Sequence, residues 1–92
     1  MTEVMQKAPA DVLDFDIDFS RWLKSADRIT SASSTIAGGT ASVDRTDFGD
    51  SLARVWLSGG ADGETSLVTT IVTTEQGRTK EFCFNLKIRE CH

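Results

Sequence analysis

The residue types best suited to chemistry are the aspartates of "VLDFDIDF" (Asp14, Asp16 and Asp18), the cysteines Cys83 and Cys91, and the single histidine, His92. Carboxylate oxygens suit hard cations such as calcium. A calcium loop needs its carboxylates to converge around a bend, however, and these alternate with Leu13, Phe15, Ile17 and Phe19 in the period-two pattern of a half-buried strand. Successive aspartates would then stand about 7 Å apart on a solvated face. Cys91 and His92 supply two ligands where a zinc site needs three or four. A nucleophilic triad needs an imidazole held within about 3 Å of its nucleophile, and a histidine at position 92 is not expected to be held that way. Cys83 and Cys91 are eight residues apart on or just past one strand, about 26 Å and beyond disulfide reach. None of the fourteen carboxylates sits in an apolar context that would raise its pKa for acid–base work. "GGADG" has no following Lys-Ser or Lys-Thr and precedes a strand, so it is not a phosphate cradle. The expectation is therefore no catalytic, cofactor-binding or metal-binding residue, and no enzyme.

Ninety-two residues make one small domain, and 39% hydrophobic with 26% charged residues is the balance of a folded chain rather than a disordered one. The net charge of −4, with ten scattered basic residues, argues against nucleic acid, whose phosphates call for clustered Lys and Arg. No apolar run reaches the roughly 18 residues of a membrane helix. "MTEVMQKAPADV" has neither a basic start nor an apolar segment, so the expected site of synthesis is the cytoplasm, with no secretory signal.

Residues 1–10 read as a flexible arm, 11–90 as the domain and 91–92 as a tail. Residues 12–19 form the first strand. Ser20 is placed to cap a helical turn near residues 20–24 that holds Trp22 and Leu23. "RITSASSTI" is a second strand, "AGGT" a turn and "TASVD" a short third strand, while "RTDFGDS" reads as an acidic loop. "LARVWLS" is apolar on both faces, the mark of a strand covered on both sides or offering one side to another protein. "SGGADGE" reverses the chain, "TSLVTTIVTT" is dense in β-branched strand formers, "EQGR" reverses it again, and "TKEFCFNLKIRE" alternates. Six or seven short strands with frequent turns predict an all-β antiparallel sandwich, with a small barrel as the alternative.

Its core is expected to hold Phe15, Ile17, Phe19, Trp22, Leu23, Ile29, Val68, Val72, Phe82, Phe84, Leu86 and Ile88. Trp56, Leu57, Leu67 and Ile71 are the candidates for partner contact. Which face of residues 65–74 turns inward, that of Ser66, Val68, Thr70 and Val72 or that of Leu67, Thr69 and Ile71, is open at this point. The threonines Thr65, Thr69, Thr70, Thr73 and Thr74 could offer hydroxyls to a glycan, although threonine is equally a plain strand former.

"FDIDFSRWLKSADRI", followed in order by "VWLSGG", "VTTIVTTEQGR" and "KEFCFNLKI", resembles small virion proteins of tailed phages and prophages of the fiber-tail adaptor (head–tail or tail connector) type. The resemblance spans roughly residues 11 to 90. It implies an immunoglobulin-like sandwich that acts as a structural adaptor, joining tail or neck and fibre components through protein–protein contacts. The partners it implies are other phage virion proteins, with a homo-oligomer or ring in the particle; the charge and the short apolar runs add the expectation of no nucleic acid and no membrane. The chain would be made in the bacterial cytoplasm and end in the virion. The alternative is an immunoglobulin-like module recognising a host protein or glycan. Members often carry an aromatic residue where this chain has Ser66, which leaves Trp56 or Phe82 to fill the space.

Overall fold

A computed structural model describes residues 3–90, so the readings placed on Cys91 and His92 lie outside the described residues. Seven strands follow one another: β1 (Glu3–Lys7), β2 (Leu13–Asp18), β3 (Ile29–Ala37), β4 (Ala41–Phe48), β5 (Leu52–Gly59), β6 (Thr65–Thr74) and β7 (Thr79–Ile88). They form a two-layer sandwich, with a four-stranded sheet ordered β1-β7-β6-β3 against a three-stranded sheet ordered β2-β5-β4. Among the described residues there is no helix, and so none that could cross a membrane.

The layers are held by one parity of each strand. Val55 and Leu57 of β5, Val68 and Val72 of β6, and Phe84, Leu86 and Ile88 of β7 are fully buried between the sheets. Ile17, Phe19 and Ile29 complete the aliphatic and aromatic core, and Phe15, Trp22, Leu23 and Phe82 are partly buried against it. The open choice in β6 is resolved by its neighbour: Val68 pairs with Phe84 and Ser66 with Leu86, and β7 has one unambiguously apolar face. Ser66 is buried, but neither Trp56 nor Phe82 fills the space beside it. The Gly38–Gly39 turn closes over it instead, and Ser66 Oγ donates to Gly38 O at 2.6 Å. A chain of hydroxyls ties the layers along one side: Thr46 Oγ1 donates to Ser34 Oγ at 2.8 Å, and Ser34 and Thr70 share a 2.9 Å bond.

Three local features depart from the sequence reading, and the expected helical turn is present. Residues 3–7, expected in a flexible arm, form β1, the one parallel strand, on the free edge of β7. Met5 packs on the core there, and the edge of β7 gains the backbone partners it would otherwise lack. "RTDF" (45–48), expected to be a loop, is the second half of β4. A bulge at Asp44, between Val43 and Arg45, resets the alternation and hides the strand pattern. The expected helical turn is a single hydrogen-bonded turn in which the amides of Trp22 and Leu23 both donate to Phe19 O at 3.0 Å. Asp18 rather than Ser20 supplies the side chain that shapes it, accepting from the Ser20 amide at 2.8 Å.

Opposite ends of the sandwich carry two polar locks. At one end Arg78 lies over the Trp22 ring, 4.3 Å from its centre, and reaches the Asp27 carboxylate at 3.8 Å. The Asp27 side chain is fully buried and accepts from the Arg28 and Gln76 amides. Burial works against its charge, but the Thr74 hydroxyl, those amides and Arg78 outweigh it and hold the carboxyl below its ordinary 3.8. At the other end Glu64 accepts from the Ala61 amide at 2.6 Å and from the Thr40 hydroxyl at 2.8 Å, which joins two turns. Beside it Gly60 adopts φ +96°, and a Cβ there would come within 2.8 Å of Ile88 Cγ1.

Two outcomes follow. Gly60→Ala should cost about 1–2 kcal/mol for its left-handed backbone and about 1–3 more for the collision with buried Ile88. Gly63→Ala, also at positive φ but with open space around it, should cost only the first part. Denaturant melts would compare them, and equal losses would contradict the close packing of Gly60. A carboxylate whose folded pKa lies below its unfolded one adds stability that is complete above the unfolded value and lost as pH falls through the folded one. Asp27→Asn should therefore lower the melting temperature at pH 7 and flatten its fall between roughly pH 5 and pH 2. Parallel melting curves for the two proteins would place the acid sensitivity elsewhere.

Candidate partner-binding surfaces

β5 is the strand that places Trp56. Its outward parity holds Leu52, Arg54, Trp56 and Ser58, and its inward parity holds Ala53, Val55 and Leu57. Arg54 fixes this choice, because an unpaired guanidinium facing the core would carry a large desolvation cost. Leu57, expected at a partner surface, is correspondingly fully buried and forms part of the core. Both faces of "LARVWLS" are apolar enough to mislead, but only one parity carries a charge.

Trp56 stands half-buried on the outer face of the three-stranded sheet, gripped by two β4 residues. The Arg45 guanidinium lies 4.6 Å from the ring centre, and the indole Nε1 donates to Asp47 Oδ2 at 3.1 Å. Arg45 Nε and the same Asp47 oxygen are 3.2 Å apart, which closes the triangle. The β4 bulge makes this possible. It pairs Arg45 rather than Asp44 with Trp56, and it leaves Asp44 to accept from Ser58 Oγ at 2.8 Å. Reading residues 45–48 as a loop concealed Arg45 and Asp47; the period-two spacing of Arg45 and Asp47 was the available signal.

Across β5 the three aspartates of β2 face outward, as their alternation predicts. Arg54 stands where a cation would: its Nε and Nη2 meet the two Asp16 oxygens at 2.7 and 3.2 Å, and its Nε lies 3.2 Å from Asp14. The Arg54 hydrogen bond holds the Asp16 carboxyl below the usual aspartate range. All these groups are well exposed, so the pairs order the face more than they stabilise the fold.

The opposite outer face, on the four-stranded sheet, is nearly uncharged. Leu67 and Ile71 are 41% and 37% exposed there, and Val4 of β1 is 53% exposed. Leu67 and Val4 both pair with Asn85, so they share one row across the sheet, while Ile71 pairs with Glu81 in another. Serines and threonines fill most of the remainder. The threonine run does not present one hydroxyl face: Thr65, Thr69 and Thr73 point outward, whereas Thr70 and Thr74 are buried. Trp56 and the Leu67–Ile71 pair therefore lie on opposite sides of the sandwich, and the structure does not bring the four candidates together.

A third surface was not anticipated. Where the edges of β1 and β2 face each other, a groove of about 350 Å³ runs between the sheets, floored by Met5, Ile17, Phe19, Trp22 and Phe82. It makes Trp22 and Phe82 accessible at the margin of the core.

No curated protein matches the chain. Residues 7–87, nearly the whole sandwich and all the residues of its two outer faces except Val4 and Gln6 of β1, match the family described as podophage GP4 fiber-tail adaptor protein gp77, and the chain belongs to that family.

Proposed function

We propose that the chain is a non-enzymatic structural component of a phage particle that joins tail, or neck, and fibre proteins through protein–protein contacts, with its two opposite outer faces held at fixed separation. Membership of the fiber-tail adaptor family supports the structural role. The observation that carries the two-sided reading is the placement of Trp56 on one outer face and of Leu67 and Ile71 on the other, with a fully buried layer between them. The immunoglobulin-like reading is supported by the strand partition. Strands β2, β5 and β4 oppose β3, β6 and β7, as the B, E, D and C, F, G strands do in that architecture.

Trp56 suits a contact residue because its ring is already positioned. A large aromatic held by Arg45 and Asp47 loses little further freedom on binding, and tryptophan and arginine are the residue types on which interface energy concentrates. Trp22 serves the fold instead, packing edge-on to Phe19, under Arg78, against the core.

The two tryptophans should therefore separate. Trp22→Ala should lower stability by about 3 kcal/mol through lost packing. Trp56→Ala should melt within a few degrees of the native chain yet lose capture of tail and fibre proteins from its own phage. Thermal melts and co-purification with those proteins measure the two effects. Equal loss of folding in both variants, or undiminished capture by Trp56→Ala, would contradict the proposal.

A further inference from the structure

The outer face of the four-stranded sheet carries an ordered charge pattern. Among the described residues that point outward within the strands of this face only Glu81 and Lys87 are charged, and both lie on β7. They stand six residues apart, about 20 Å along the strand, with Cys83 and Asn85 between them and Leu67, Thr69 and Ile71 alongside on β6. We infer that this face stacks on the same face of a second copy of the chain, related by a two-fold axis that runs across the strands between the two sheets. The inference rests on reading Leu67 and Ile71 as contact residues and names what covers them.

The geometry of such a stack follows from symmetry. A two-fold contact sets the same patch against itself, so every pairing occurs twice. With the axis crossing β7 level with Phe84, the two β7 strands lie antiparallel, one above the other. Glu81 of each copy then meets Lys87 of the other, and Cys83 falls opposite Asn85. A single acidic and a single basic residue equidistant from the middle of an otherwise neutral face form a self-complementary pattern. A differently charged partner would not require it.

The distribution of charge over the rest of the molecule agrees. The outer face of the three-stranded sheet carries Asp14, Asp16, Asp18, Asp44 and Asp47 against Arg45 and Arg54. Stacking through the neutral face puts these acidic faces on the outside, about 30 Å apart across four sheets at roughly 10 Å spacing, and well beyond a Debye length of about 8 Å at physiological salt. Both Trp56 surfaces stay free. The patch, four strands wide, covers roughly 450 Å² per copy, less than the roughly 800 Å² of a standard stable interface. The association is accordingly reversible and depends on concentration.

Sedimentation equilibrium on the full chain, from micromolar to about millimolar concentration, tests this. The native chain should pass reversibly from monomer to dimer. Glu81→Lys and Lys87→Glu should each weaken association roughly tenfold or more, since each creates two like-charge contacts. An equal mixture of the two variants should associate again, because every reversed residue then meets an opposite charge. That recovery also shows that both variants are folded. Trp56→Ala should dimerise as the native chain does. A native chain that stays monomeric throughout, single variants that dimerise normally, or a mixture no better than its components would each overturn the inference. A dimer that captures no tail or fibre protein would contradict the adaptor reading and leave this interface standing.

Discussion

Every feature of this molecule depends on the layer of side chains trapped between its two sheets. Successive residues of a strand point to opposite sides, so committing one parity inward leaves no choice about the other. Once Phe84, Leu86 and Ile88 of β7 are buried, Val68 and Val72 follow through their pairing, and Leu67 and Ile71 must face out. Once Ala53, Val55 and Leu57 of β5 are buried, Arg54 and Trp56 must face out on the other side. The two exposed surfaces are thus consequences of one packing decision, and a slip of one residue in either strand would exchange core and surface along that strand.

This dependence suits an adaptor. Two partners held by opposite faces of one close-packed layer sit at a separation that a protein interior transmits with little give. The ends of the layer are closed by charged locks rather than by length. Asp27, Arg78 and Trp22 tie the turn after β2 to the β6–β7 turn, and Glu64 ties the turns before β4 and β6. A groove remains open between β1 and β2, where Trp22 and Phe82 border the core.

Much of the layer was legible because β2 and β7 alternate without ambiguity: Ile17, Phe19, Phe84, Leu86 and Ile88 could be assigned inward from spacing alone. β6 could not be, since threonine and valine occupy both parities, and only its partner strand decides. Leu57 was misplaced because β5 is apolar on both faces, although Arg54 already marked the outward one. Two errors came from neighbours that composition does not reveal. Residues 3–7 lack a pattern of their own and are strand only because β7 offers an edge, and the bulge at Asp44 disguised Arg45 and Asp47 as loop. The partner surface suffered most from this, since the residues that hold Trp56 lie in the segment the bulge concealed. Asp27 and Arg78, which carry part of the resemblance to phage virion proteins, meet beside Trp22, which makes them signs of the fold rather than of a binding site.

The most direct measurement is a structure of the chain inside its own virion, at a resolution that shows side chains. Proteins covering both outer faces, one over Trp56 and one over Leu67 and Ile71, with the buried layer unchanged between them, are the predicted result. Both faces bare to solvent, with every contact made at the β1–β2 groove or the turns, would contradict a two-sided rigid adaptor.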